Sequence, residues 1–349
     1  MTELITGIQQ VGIGVQDADA AKIAYKNDFG MNVKVFDDVA DAALMTKYTG
    51  NEKHRRRAIL SLNMAGGGGF EIWQFLSRKA SHPVNEIALG DTGIFAAKIK
   101  SQNIRKSHHH FQSAGNKSLT PISKTFDNRN QFWVKDNYGN WFNIIESKEW
   151  FNKSNIHCGG VCGAVIGVSN MDNALRFYAD VLGIDKQVYN VADDAKNYPG
   201  YNHKKIHRIL IRKEVSANGA FAKLLGDIEI ELVQDLEETR TSIYKNRFWG
   251  DCGFMHLCFD VTDMDLLKIK CEEAGYTFTV DSKNSFAMDA AAGRFCYVED
   301  NDGTLIELVE THKVPVIKKL GLYFDLKKRN ITKPLPSWMI GCMAWSKIK

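Results

Sequence analysis

Val298-Glu299-Asp300-Asn301-Asp302-Gly303 precedes Leu305-Ile306-Glu307-Leu308-Val309-Glu310 late in the chain. Val134-Lys135-Asp136-Asn137-Tyr138-Gly139 precedes Trp141-Phe142-Asn143-Ile144-Ile145-Glu146 near its middle. Asp-Asn-x-Gly between two apolar runs is a hairpin signal, because asparagine and glycine tolerate the positive φ such a turn requires. Two copies of one hairpin, far apart in the chain, point to an internal repeat, and a repeat decides the fold before any single element does.

The beginnings of the two halves match as well. Gly12-Ile13-Gly14-Val15 opens a helical stretch from Asp17 to Asp28 that ends at Phe29-Gly30-Met31. Val165-Ile166-Gly167-Val168 opens one that begins at Asp172 and runs to Leu182-Gly183-Ile184. Asp19, Ala21, Tyr25 and Gly30 fall on Asp172, Ala174, Tyr178 and Gly183. The pattern is a strand, an amphipathic helix closed by a glycine cap, and a second strand.

A third match lies inside each half. Phe70-Glu71-Ile72-Trp73-Gln74 parallels Ile230-Glu231-Leu232-Val233-Gln234, and Gly90-Asp91-Thr92-Gly93 parallels Gly250-Asp251-Cys252-Gly253. Each half therefore divides into two βαβββ modules, with the helices of modules two and four expected at Ser101–Ala114 and Asp263–Ala274. The expected class is α+β, with four modules in two tandem domains. The expected division is an N-terminal domain over 1–150, a linker over 151–160, a C-terminal domain over 161–312 and a basic tail over 313–349. The tail follows no module pattern, and it either packs on the body or covers an entrance.

Composition limits the alternatives. A net charge of +4 over 349 residues is too small to imply a nucleic-acid partner. No apolar run approaches the ~18 to 20 residues a membrane helix needs, and Met1-Thr2-Glu3-Leu4 does not open a secretory signal. The expected location is cytoplasmic. Seven cysteines without paired CxxC knuckles read as reduced, partly buried thiols.

A twice-repeated βαβββ unit, with an Asp-Asn-x-Gly turn leading into an apolar-Glu-apolar strand, resembles the vicinal oxygen chelate superfamily of glyoxalases, bleomycin-resistance proteins and extradiol dioxygenases. The resemblance spans about residues 5 to 312. It implies that two modules close a curved sheet around a divalent metal, each offering one ligand from its first strand and one from its last. Read onto this chain, module one offers Gln10 and Glu71, module two Ala96 and Asn143, module three Gly163 and Glu231, and module four His256 and Glu307.

If modules pair within halves, the first half has no convincing site, and the second offers Gly163, Glu231, His256 and Glu307. If they pair across halves, as in fused glyoxalases, modules one and four unite Gln10, Glu71, His256 and Glu307, and modules two and three are vacant. The cross-half arrangement explains more and is the expectation. Its ligand set resembles that of glyoxalase I and suits Zn²⁺, Ni²⁺, Co²⁺ or Mn²⁺.

The resemblance implies a metal-dependent lyase or isomerase that moves a proton α to a carbonyl while the metal chelates two neighbouring substrate oxygens. Glu307 is the first candidate base and Glu71 the second. The positions where glyoxalase I carries glutathione-binding arginines hold Gly14 and Cys252 here, so no glutathione assignment follows. Two alternatives stand beside this reading. One is an Fe(II) extradiol-type dioxygenase, which needs a second histidine such as His203 or His207. The other is a non-catalytic binder of the bleomycin-resistance type. The partner in each case is a small molecule, with no nucleic acid and no membrane, and the chain is a monomer or a homodimer.

Trp73 and Phe254, with Phe75, Phe95 and Trp141, stand on strands as an apolar substrate wall or as core. Glu229 and Glu231 share a face by alternation, as on the solvated side of a strand. His54-Arg55-Arg56-Arg57 reads as a solvated charge run, Gly66 to Gly69 as a hairpin loop, and His108-His109-His110 as an exposed polar stretch.

Overall fold

The computed structural model describes residues 3–116, 118–153, 157–199, 205–215, 218–283, 286–288, 291–317, 322–330 and 332–348. Module one consists of β1 (Ile5–Gly14), α1 (Ala18–Phe29), β2 (Val33–Asp41), β3 (Arg55–Leu62) and β4 (Gly69–Phe75). Module two consists of β5 (Gly93–Ser101), α2 (Ile104–Ser113), β6 (Ser123–Lys124), β7 (Asn130–Lys135) and β8 (Trp141–Glu146). Module three runs through β9 (Val161–Gly167), α3 (Met171–Leu175, continued as a π-helical turn to Val181), β10 (Lys186–Asp193), β11 (Ile206–Lys213), the short α4 (Ala222–Leu225) and β12 (Ile228–Asp235). Module four has β13 (Gly253–Val261), α5 (Met264–Glu273), β14 (Val280–Asp281), β15 (Phe286–Met288), β16 (Ala291–Glu299) and β17 (Leu305–Ile317). The tail adds β18 (Leu322–Asp325) and α6 (Ser337–Gly341).

The helices begin and end where their caps dictate. The Asp17 side chain accepts from the N–H groups of Asp19 and Ala20, and Gly30 closes α1 at φ 70°. Asn103, Asn170 and Asp263 cap α2, α3 and α5 in the same way. The two Asp-Asn-x-Gly turns are built alike. Asp136 Oδ1 accepts from Tyr138 N and Asn140 N, and Asp300 Oδ1 accepts from Asp302 N and Thr304 N. The repeated tyrosines lock these turns to the helices, since Tyr25 donates to Asp136 at 2.8 Å and Tyr178 to Asp300 at 3.0 Å.

Two sheets result, and each draws on both halves. One runs β14-β16-β17-β13-β1-β4-β3-β2, with β15 and β18 added beside it. The other runs β10-β11-β12-β9-β5-β8-β7-β6. At the centre of the first sheet β1 lies antiparallel to β13, and at the centre of the second β5 lies antiparallel to β9. Module one thus joins module four, and module two joins module three. The main apolar core takes Val11, Ile72, Leu257 and Ile306 from one sheet, Ile94, Ile144, Ile166 and Ile230 from the other, and Tyr25, Phe29 and Phe177 from the helices. Separate clusters fill the opposite, concave faces of the two sheets. Residues 157–160 are clamped between the sheets: Gly159 N donates to Lys100 O, and Gly160 N to Gly66 O. Gly66 to Gly69 is a close-packed crossing, since a Cβ on Gly67 would lie 2.7 Å from the Gly160 backbone. No helix among the described residues is long and apolar enough to cross a membrane.

Candidate metal centre

Four adjacent strands, β4, β1, β13 and β17, carry Glu71, Gln10, His256 and Glu307. Register brings them together in two steps. Gly12 stands beside Glu71 on one neighbour and His256 on the other, and Cys258 stands beside Gln10 and Glu307. Leu257, Phe259, Ile306 and Ile72 point into the core between the sheets. By alternation the residues between them point to the concave side.

A bulge refines this. The β1–β13 register shifts between the Gly12↔His256 and Ile13↔Phe254 pairs, so Met255 is extra. Met255 joins the concave cluster, while Phe254 turns into the main core, its ring 5.6 Å from Phe142 of the other sheet. Phe254 is therefore no part of a substrate wall. Trp73 does lie on the site's face, two residues beyond Glu71, edge-on to Trp249 at 4.0 Å and beneath the Arg56 guanidinium. Phe75 packs with Ala80 and Cys252, and Phe95 and Trp141 belong to the second sheet.

His256 Nε2 lies 3.1 Å from Glu71 Oε2 and 3.1 Å from Glu307 Oε2. Ligand atoms of the three residues all lie within 4.8 Å of one another. The amide of Gln10 donates to Glu307 at 3.2 Å, and its Oε1 has no partner although the residue is 4% exposed. His256 is wholly buried, and its Nε2 approaches both carboxylates without lining up as a hydrogen bond to either. Burial alone would push this imidazole down, but Glu307, and then Glu71, hold its proton and bring it up to about 9. The proton sits where a cation is called for. Two carboxylates, one imidazole and an orphaned amide oxygen fit a divalent ion in a buried cup.

Gly12 is required by this packing, because a Cβ there would lie 2.3 Å from His256 Cε1. Three neighbours were not foreseen. Tyr297, directly across the hairpin from Glu307, has its hydroxyl 3.2 Å from His256 Nδ1. It was findable, since the turn after Asp300 sets that pairing. Trp249 stacks on the imidazole at 6.2 Å from a loop whose path the sequence does not reveal. Cys258 lies between two ligand positions, and burial with Glu307 close by pushes its thiol well up.

The second sheet has the same register with other residues. Val165 stands beside Glu231 and Ala96, and Lys98 stands beside Gly163 and Asn143. Of these positions only Glu231 keeps a carboxylate. Glu229 and Glu231 are 5% and 1% exposed, so their shared face is a buried one rather than a solvated one. Lys98 Nζ reaches Glu231 at 3.2 Å and Glu229 at 3.7 Å, and Tyr189, Tyr198 and Arg208 also face Glu231. His207 lies on this sheet, hydrogen-bonded to Asn190 at 2.7 Å, away from the Glu-His-Glu cluster. His203 lies outside the described residues.

The other motifs resolve simply. Arg56 is buried against Asp38, and Arg57 pairs with Asp19 and Asp37, so that run is a set of ion pairs on an edge hairpin. His110 stacks on His157 at 3.4 Å, and His108 packs on Phe132. The seven cysteines are free, and all but Cys342 are buried.

Residues 164–297 match the family model of the glyoxalase/bleomycin resistance protein/dioxygenase superfamily. The match runs from β9 into β16, across modules three and four. The whole architecture is shared with solved structures at low identity. A candidate dioxygenase from Bacillus subtilis is 13% identical with a TM-score of 0.58, over 88% of this chain and 86% of that one. Glyoxalase I from Zea mays is 14% identical with a TM-score of 0.54, over 87% of this chain and 92% of that one. No curated protein matches the sequence. At these identities the likeness speaks for the fold, and the chemistry has to be argued from the site.

Proposed function

We propose that this protein is a metal-dependent lyase or isomerase of glyoxalase type, acting on a small molecule with two neighbouring oxygens. The observation that carries this reading is the convergence of Glu71, His256 and Glu307, with Gln10 beside them, in one buried cup. Gln10 Oε1, His256 Nε2 and one oxygen of each glutamate would hold Zn²⁺, Ni²⁺, Co²⁺ or Mn²⁺. Such an ion supplies Lewis acidity that stabilises negative charge on the substrate's oxygens.

The chain's own residues do the rest. Glu307, on β17, takes the proton α to the carbonyl on a carboxylate oxygen and returns it, with Glu71 on β4 as the second candidate. Tyr297 fixes the imidazole through Nδ1 and so keeps Nε2 turned to the cup. Trp249, Trp73 and Met255 keep water from the reacting face. The Fe(II) dioxygenase reading lacks its second histidine at this cluster among the described residues, since His207 serves the other sheet.

Metal analysis of untagged protein tests the proposal. About one Zn, Ni, Co or Mn per chain is expected, and it is lost in Glu71→Ala/Glu307→Ala. Failure of the protein to take up any of these ions on loading would refute it.

A further inference from the structure

The segment after module four forms a strap across the concave side of the first sheet. β18 pairs with β17, and Leu326 N donates to His312 O. Farther on, Leu335 N donates to Ala220 O, and Lys34 N on β2 donates to Ser346 O. Leu326, Leu335 and Ile340 pack with Val33 and Leu62, and with Leu224 and Leu225 of α4. The strap is thus anchored beside β17 and beside β2, on either side of the ligand-bearing strands.

Between strap and sheet remains a small open cleft, lined by Asp260, Thr262 and Glu310 of the body and by Lys327, Arg329 and Lys333 of the strap. Its floor adjoins the metal face. Asp260 follows Cys258 by two residues on β13, and Gln9, the neighbour of Gln10, donates to Asp260 at 3.4 Å.

The charge in this cleft is unbalanced. Asp260 accepts from the Thr6 hydroxyl at 2.6 Å, and burial pushes its carboxyl up to about 7. Glu310 has His312 at 3.4 Å. None of the three strap cations is paired with a carboxylate among the described residues. Arg329 donates from Nη2 to Pro334 O at 3.0 Å, and its Nη1 has no partner. Three cations, one with an unused donor, focus positive potential on a cleft whose Asp260 lies two residues along β13 from Cys258, the neighbour of Gln10 and Glu307.

We infer that this cleft is a subsite for the carboxylate end of the small molecule whose neighbouring oxygens meet the Gln10, Glu71, His256 and Glu307 cluster. The substrate class is accordingly an anionic one. The inference rests on the metal-centre reading above, and the experiment separates the two.

Protein loaded with Co²⁺ under anaerobic conditions is titrated with 3,4-dihydroxyphenylacetate and with 4-methylcatechol, while the visible Co²⁺ bands are followed. The probes share a diol and differ in a carboxylate. Wild-type protein should bind the carboxylate probe at least tenfold more tightly. The Lys327→Gln/Arg329→Gln/Lys333→Gln variant should lose that preference and bind 4-methylcatechol as before, which also reports that the cup is intact. Equal affinity in wild type, or a preference that survives in the variant, overturns the carboxylate subsite and leaves the metal reading standing. Absence of Co²⁺ uptake, or bands that neither probe moves, overturns the metal reading and this inference with it.

Discussion

The ammonium of Lys98 lies 3.2 Å from Glu231 Oε2 in the second sheet, where Glu231 holds the register position that Glu71 holds in the first. In the first sheet the group facing the corresponding carboxylate is the imidazole of His256, with Nε2 3.1 Å from Glu71. In the second it is a lysine side chain from β5. One cup keeps a set of donors fit for an exchangeable ion, and the other has a cation of its own.

Lys98→Met should therefore destabilise the protein by about 3 kcal/mol, because it leaves Glu231 buried with the more distant Arg208 as its remaining cation, beside the hydroxyls of Tyr189 and Tyr198. Urea unfolding of variant and wild type measures this. Metal content should be unchanged, since the loss falls in the other sheet.

Tyr297→Phe removes the hydroxyl that orients His256 through Nδ1 without altering the ring packing against Trp249 and Phe295. Loss of such an orienting hydrogen bond costs about 10-fold or more in metal affinity. Competition with a chromophoric chelator gives the number, and unfolding midpoints should move little.

Gly12→Ala places a methyl group where the imidazole lies, 2.3 Å from Cε1. The ring must turn away, so metal affinity should fall by more than the single hydrogen bond of Tyr297 accounts for. Because β1 stays paired with both β4 and β13, far-ultraviolet circular dichroism should be preserved.

Acid should weaken the second sheet through Glu229. Burial pushes this carboxyl up, but Lys98, Arg129 and Arg212 outweigh it and hold it down at about 2, against 4.5 unfolded. A lowered folded value means that the stabilisation is complete above pH 4.5 and is lost as pH falls from there toward 2. Its size is at most about 3 kcal/mol by linkage. Glu229→Gln should flatten the decline in unfolding free energy across that window, relative to wild type.

Much of this was legible beforehand. The four modules, the capped helices and the paired Asp-Asn-x-Gly turns are local or periodic features, and local chemistry fixes them: a carboxylate at an N-cap, a glycine where φ is positive, alternation along a strand. The ligand positions were legible for the same reason, since a repeat lets each module be read against the others.

Phe254 shows where that reading fails. Strict alternation puts it on the same face as His256, but one extra residue at Met255 reverses the parity, and a bulge is set by the pairing of two strands some 240 residues apart in sequence. Glu229 and Glu231 failed in another way. Their alternation is real, but whether a polar face meets water or buried cations depends on Lys98, Arg129 and Arg208, which arrive from elsewhere in the chain.

The sequence by itself determined the modules, their order and which of them retain donors, because those properties belong to single strands and turns. The tertiary structure alone decided that His256 and both glutamates come within 4.8 Å of one another, that Lys98 stands in the other cup, and that the tail crosses the first sheet. Distances between side chains on strands far apart in sequence are set by register and burial, and those exist only once the sheets have closed.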